Sequence, residues 1–244
     1  MNRDERALPV TPAAAPVRGR AGGLWPFLSC AVIGGCVGGK AGILASNLTA
    51  LPANSVQALL VEASASSSWR GTVTVLEREA SEWRVRCVLP AVLGRSGIVP
   101  AAQKREGDGG TPAGVHPIGP AFGYAPTATT GLAYRQATAR DWWIDDPASP
   151  AYNTWQTSDG KPAVSAEAMR RDDDQYELGA VLGWNVDPVV PGRGSAIFLH
   201  VWKGPDEPTS GCVALAREHV AALLAWLEAT ASPCLVVVAG EPLR

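Results

Sequence analysis

An excess of charge of one sign is missing from this 244-residue chain, where 21 Lys and Arg stand against 23 Asp and Glu. With a net charge of −2, no broad basic field is offered to a nucleic-acid backbone or an anionic lipid surface. Histidine is scarce, with three in all, and no pair of residues shows the H-x3-H or C-x2-C spacing of a zinc site. A metal set can be assembled on paper from His200, Asp206, Glu207, Cys212 and His219, but its spacing carries little signal. The five cysteines, Cys30, Cys36, Cys87, Cys212 and Cys234, do not make a small disulfide-stapled scaffold. Only three Phe accompany nine Trp, and Trp serves equally as core filler or as the wall of a polar ligand groove. The apolar run Leu24 to Gly39 falls short of the about 20 residues that a membrane-spanning helix needs.

What is present in quantity is Gly, at 26, and Pro, at 20. Both weaken helix interiors and punctuate turns, which excludes a helical bundle. The first fifty residues read as a leader. Arg3, Arg6, Arg18 and Arg20 precede the run Leu24 to Gly39, which Lys40 stops, and basic residues before a short apolar run form a secretory signal. Pro26 and four glycines make the same run a poor buried helix. Small residues around Ala45 to Ala53 suit a signal peptidase. Ile33-Gly34-Gly35-Cys36 resembles a lipobox with Gly34 as its imperfect position, so the ordinary leader cysteine is the favoured reading of Cys36. Cleavage, lipidation and retention as an anchor stay open. The expected division is a leader over 1–50 and one domain over 51–244.

Beyond residue 54 the pattern is strands and turns. Gln57 to Ala63, Gly71 to Leu76 and Trp83 to Val88 are short strand candidates whose close spacing suggests an antiparallel start. Lys104 to Gly114 is a turn-rich connection, and Tyr176 to Trp184, Ser195 to Trp202 and Cys234 to Ala239 are further strands. One helix is supported, Ala216 to Ala229, with Val220, Leu223, Leu224 and Leu227 at i, i+3, i+4 and i+7. No internal repeat and no second composition regime appear. The expected fold is a mainly-β domain with a single substantial helix.

One stretch carries chemistry. In the apolar strand Ser195 to Trp202, the period of two puts Phe198, His200 and Trp202 on one face and Ile197, Leu199 and Val201 on the other. A Gly/Pro loop then leads to Thr209-Ser210-Gly211-Cys212, before the helix. A histidine on a rigid strand and a cysteine in a glycine-hinged turn suit a thiol–imidazole pair. A free Cys has a pKa of roughly 8.5, so the thiol needs a neighbouring base near neutral pH. The imidazole takes that proton and later returns it to a leaving amine. Gly211 allows close backbone approach, and N–H groups around Cys212, near a helix start, suit an oxyanion. Against this stands the plain alternative of a hydrogen-bonded core histidine and an inert buried cysteine.

The run Ile197 to Leu215, IFLHVWKGPDEPTSGCVAL, resembles the signature of the L,D-transpeptidase catalytic domain of the YkuD type. Lys104 to Gly114, KREGDGGTPAG, is similar to that family's Gly-rich, Thr-Pro-x-Gly segment. Asp145-Asp146-Pro147 through Tyr152-Asn153, and Pro191-Gly192-Arg193-Gly194-Ser195, fit an exported branch of it, so the resemblance spans roughly residues 53–240. It implies a mainly-β, sandwich-like fold with the cleft at one end. It implies peptidoglycan stem peptides as partners, cell wall biogenesis and cell shape as context, and the periplasm or cell envelope as location. A tether to the membrane through the leader stays open. Cys212 is implied as nucleophile, His200 as base, and Thr209, Ser210 and Gly211 as turn and oxyanion support. Neither a metal nor an organic cofactor is implied. The alternatives are a carboxypeptidase or endopeptidase of the same chemistry and a non-catalytic wall-binding domain.

Two features depart from the pattern. The His-to-Cys gap holds 11 residues where many members have more. Thr209-Ser210-Gly211-Cys212-Val213-Ala214 stands where many read Ser-His-Gly-Cys with Arg or Asn two positions on. Among other residues, His219 reads as helix surface or rim and His116 as structural. Lys104, Arg105 and Asp108 read as a solvated hairpin tip ahead of substrate-carboxylate contacts. Cys87 and Cys234 either form a disulfide or stay as two buried thiols, since strand register is not readable from sequence.

Overall fold

The computed structural model describes residue 48 and residues 50–238. Apart from positions 48 and 50, the leader reading over 1–50, with Cys30 and Cys36, lies outside the described residues.

Alternating apolar residues build the first three strands. In β1 (Gln57–Ala63), Leu59 and Val61 join one core while Ala58 and Leu60 join another on the reverse face. β2 (Arg70–Glu79) and β3 (Glu82–Val92) follow, each antiparallel to its predecessor, which is the antiparallel start legible in the sequence. β4 (Ile98–Val99) and β5 (Thr111–Pro112) form a short parallel pair. β6 (Gly114–Gly123) is a ten-residue strand that the sequence reading passed over. Its prolines argue against a paired strand, yet it pairs with a partner on either side.

β7 (Tyr134–Gln136) adds to β6. β8 (Asp141–Ile144), β9 (Trp155–Thr157) and β10 (Ala166–Ala168) make a separate three-stranded sheet with β8 in the middle. Next come β11 (Leu178–Leu182), β12 (Phe198–Val201), β13 (Val213–Leu215), α1 (Arg217–Trp226) and β14 (Cys234–Val238).

The large sheet runs β11-β12-β13-β3-β2-β1-β14-β6-β7, and β6 also pairs with β11. Eight strands therefore close into a circuit, with β7 attached outside it. Among the described residues, the mainly-β fold with a single substantial helix stands as expected. The two faces of the sandwich are joined into one continuous sheet, because closure removes the exposed edges that an open sheet would present. Inside lies the main core, which holds Leu59, Val75, Leu89, Ala180, Leu199, Val213 and Leu235. Val220, Leu223, Leu224 and Leu227, the helical face read from the sequence, pack into the same core.

The C-terminal end of α1 is held by a buried polar residue. Gln57 Nε2 donates to Trp226 O at 2.8 Å, and its Oε1 accepts from the Glu228 N–H at 2.9 Å. Helix ends leave carbonyls without partners, and each such bond contributes about 1 kcal/mol net.

Register settles the cysteine question. Cys87 lies opposite Val75, which lies opposite Leu59, all in the main core. Cys234 lies opposite Ala58, whose side chain belongs to the reverse face. Two strands intervene, about 14 Å at ordinary strand spacing, and the thiols point to opposite sides. A Cys87–Cys234 disulfide is ruled out by this arrangement, because a bridge needs Cα atoms within about 7 Å.

Candidate active site

The period of two sends Ile197, Leu199 and Val201 into the main core and turns Phe198 and His200 outward. β13 runs parallel to β12, with Leu199 opposite Val213 and His200 opposite Ala214. Cys212, one residue before β13, thus falls beside Phe198, whose N–H donates to its Sγ at 3.4 Å. The thiol and the imidazole share the outer face of this strand pair. The β8–β10 sheet covers part of that face, and Trp143, Met169 and Tyr176 complete an aromatic cluster around Phe198 and Cys212.

The turn before Cys212 is pinned by hydroxyls. Thr209 Oγ1 donates to Cys212 O at 2.8 Å and accepts from the Gly211 N–H at 3.1 Å. Thr111 Oγ1, from the Gly-rich segment, donates to the same carbonyl at 3.4 Å. Ser210 Oγ accepts from Arg95 at 3.0 Å. Gly211 adopts φ +144°, and a Cβ there would stand 3.0 Å from Gly110 O, so this position requires glycine.

The expected helix start beside the sulfur is corrected by the structure. β13 intervenes and α1 begins at Arg217, while a helix dipole acts within about one turn of its end. The Gly211 N–H is committed to Thr209, and among the described residues no hydrogen bond of the turn uses the Cys212 N–H.

Ala196 aims the thiol. It adopts φ +52°, a left-handed conformation that costs a non-glycine residue about 1 kcal/mol or more. Its N–H donates to Asn153 Oδ1 at 3.1 Å and its carbonyl accepts the Cys212 thiol at 3.3 Å. Asn153 is itself buried, accepting from Trp143 Nε1 and donating to Trp184 O and Asn185 O. The thiol is therefore bonded to Ala196 and not to His200.

His200 Nδ1 lies 2.8 Å from Val201 O. A carbonyl oxygen only accepts, so Nδ1 carries the proton and Nε2 keeps its lone pair. Tyr176 packs edge-on against the imidazole at 5.2 Å between ring centroids. Burial lowers the His200 pKa to about 4, against the opposing hydrogen bond to Val201. Burial also raises the Cys212 thiol to about 12, with the Glu167 charge acting in the same direction. Near neutral pH the site thus holds a thiol and a neutral imidazole, not an ion pair.

That state has a measurable consequence. A thiol with pKa near 12 is about one part in 100,000 thiolate at pH 7, against a few per cent for free cysteine. The greater nucleophilicity of a high-pKa thiolate offsets about half of the logarithmic gap. Iodoacetamide should modify Cys212 about a hundredfold more slowly than free cysteine at pH 7, and the rate should still be climbing above pH 9. A rate that levels off near pH 8, read by mass on the Cys212 peptide, contradicts this.

A cavity of about 660 Å³ opens over this face, lined by Cys212, His200, Thr209 and Ser210 among others. Three of the stretches quoted from the sequence converge on its wall. Glu106, from the Gly-rich segment, accepts from the Tyr152 hydroxyl and from Ser195 Oγ at 2.8 Å. Burial and the Glu106 carboxylate hold the Tyr152 hydroxyl far above its usual pKa. Lys104 corrects the solvated-tip expectation. It is 2% exposed, pairs with Asp108 at 2.6 Å and lines the cavity. The segment packs under the Pro191–Ser195 loop, where Glu106 N–H bonds Gly192 O and a Cβ on Gly194 would crowd the Lys104 ammonium. Arg105 is exposed, as expected.

The remaining histidines stand apart. His116 is buried, with Nε2 3.0 Å from Pro112 O, and His219 is not among the cavity residues. The paper metal set does not assemble: Asp206 pairs with Arg70 at 2.7 Å, and no group of three His, Cys, Asp or Glu among the described residues is placed to hold a metal. Sequence reasoning missed four further lining residues, Asp145, Glu167, Arg171 and Tyr176. The sequence offers Asp145 only as part of the Asp145-Asp146-Pro147 stretch and Tyr176 only as the start of a strand. Glu167 and Arg171 lie in a polar stretch without periodicity, and no local signal marked them.

No curated protein matches the chain. Among solved structures, the crystal structure of the helical cell shape determining protein Pgp2 from Campylobacter jejuni is similar, at 14% identity and a TM-score of 0.41. The match covers 76% of this chain and 48% of that one, so the chain spans about half of that protein's length. A model of the L,D-transpeptidase catalytic domain, YkuD, matches residues 70–238, which include β2 through β14 and every cavity residue named above. This chain belongs to the YkuD family of L,D-transpeptidase catalytic domains.

Proposed function

We propose that the protein is a peptidoglycan L,D-transpeptidase with Cys212 as nucleophile and His200 as general base. The observation that carries this reading is that thiol and imidazole share one sheet face and open on one cavity. On donor binding, the thiol turns from Ala196 O and gives its proton to His200 Nε2. The sulfur attacks the carbonyl of the L-centred diamino acid, in the amide to the terminal D-alanine of a stem tetrapeptide. A C–S bond forms, the C–N bond breaks, and the imidazolium returns its proton to the amine of the departing D-alanine. The oxyanion is met by the Cys212 N–H, which the turn leaves unused. An amine of a second stem then displaces the thiol, and the imidazole carries that proton back to sulfur.

The position of this chemistry in the envelope follows from the same reading. Residues 1–50 act as the export leader and residues 51–244 as the catalytic domain. No helix among the described residues is long and apolar enough to cross a membrane.

The test is incubation of the protein with purified tetrapeptide muropeptides, followed by mass spectrometry. Loss of D-alanine with formation of dimers is expected. Loss without dimers would make the protein a hydrolase of the same chemistry, and no change would make it a wall-binding domain.

A further inference from the structure

The cavity that Cys212 lines also holds two carboxylates that lack enough donors. β8 and β10 pair with Glu167 opposite Trp143, and the Asp145 N–H bonds Ser165 O. Asp145 and Glu167 are therefore diagonal neighbours on one face of the small sheet, and both line the cavity with Cys212. Glu167 Oε1 accepts from Arg171 at 2.8 Å and from the Tyr176 hydroxyl at 2.9 Å, while Oε2 accepts from none of the described residues. The Asp145 carboxylate receives no hydrogen bond from any described residue; its Oδ1 is shut off from solvent, so Oδ2 is the oxygen left for a ligand in the cavity. A carboxylate oxygen that lines a cavity without a protein donor is left to water or to a cationic ligand.

The local charge points the same way. Arg171 also pairs with Asp173 at 2.6 Å, so one guanidinium serves Glu167 and Asp173 while Asp145 is left over. Burial pushes the Glu167 carboxyl above its usual range, and the Asp145 charge adds to that push. A compact cation with several N–H donors would satisfy both open carboxylates at once. A metal ion fits less well, because no third His, Cys, Asp or Glu joins them among the described residues.

We propose that Asp145 and Glu167 form an ammonium subsite that receives the free amine of the donor stem's diamino acid. This rests on the transpeptidase reading and adds a specificity determinant to it. The donor is the stem concerned, not the acceptor, since carboxylates hold an amine protonated and a protonated amine cannot attack. With the ammonium in place, the adjoining L-centred carbonyl is held toward the sulfur.

The experiment measures acylation of the full-length protein by intact mass with no acceptor present, across donor concentrations. The donors are a tetrapeptide with its side-chain amine free and the same peptide with that amine acetylated. For the unaltered protein, acetylation should raise the half-saturating concentration about tenfold or more, the scale of a lost charge-assisted bond. Asp145→Asn, which breaks no existing side-chain hydrogen bond, should bind the two donors nearly alike, and Glu167→Gln should weaken the preference. Wild-type discrimination retained in Asp145→Asn and in Asp145→Ala, with acylation intact, overturns the subsite and leaves the transpeptidase reading standing. Absence of acylation of the unaltered protein by either donor overturns both.

Discussion

Cys212→Ala is expected to abolish release of D-alanine from tetrapeptide donors, with no thioester detectable by intact mass. The sulfur is the atom that forms the new bond in the proposed reaction, and a methyl group offers no lone pair in its place. Loss of one participant in a coupled nucleophile–base pair removes nearly the whole effect of that pair. The fold should persist. The sulfur makes two hydrogen bonds, to Ala196 O and from the Phe198 N–H, and its removal leaves a small gap beside Phe198 and Tyr176 in the aromatic cluster. That combination costs about 1–2 kcal/mol, readable as a modest fall in the thermal midpoint. Turnover at the wild-type rate in the folded variant would take Cys212 out of the mechanism.

His200→Ala should lower kcat about 10²–10⁴-fold, the usual contribution of a positioned general base. The pH profile separates this from a merely structural loss. In the unaltered protein the base must be neutral to accept the thiol proton. Activity should therefore fall as pH drops through the His200 pKa of about 4 and hold level above it. In the variant the proton must leave to water, so activity should climb about tenfold per pH unit toward the thiol pKa of about 12. A variant with a flat profile, or with a loss below tenfold, would assign His200 to packing against Tyr176 alone.

Much of this site was legible before any coordinates. Alternation in Ile197 to Val201 separates the side chains into two faces, because a strand turns each successive residue over; which face meets the main core comes from the packing. That rule alone puts His200 on the same face as Phe198. The Thr209-Ser210-Gly211-Cys212 turn was readable because glycine and hydroxyl residues make such turns by local bonds, here the Thr209 hydroxyl to Gly211 and Cys212. The helix face of Val220, Leu223, Leu224 and Leu227 was readable for the same local reason.

The misreadings share one origin. Lys104 looked like surface because a lysine in a Gly-rich stretch is usually solvated. It is buried by the loop that ends at Ser195, some ninety positions away. β6 was passed over because its prolines break the strand pattern, and two of its three partners, β11 and β14, come from far along the chain. The supposed helix dipole at Cys212 failed because Val213–Leu215, an apolar run before a helix, found a strand partner in β12.

What the order of residues determined by itself was the local pattern: the two-residue alternation, the glycine turn, the helical stripe, and hence the thiol and imidazole as candidates. Tertiary structure alone decided that β6 closes the sheet on β11, that Cys87 and Cys234 face opposite ways, and that Asp145 and Glu167 line one cavity with Cys212. The physical reason is reach. Backbone geometry fixes the direction of side chains a few residues apart, whereas contacts across dozens of residues depend on how whole strands pack, and such packing leaves no periodic mark in the chain.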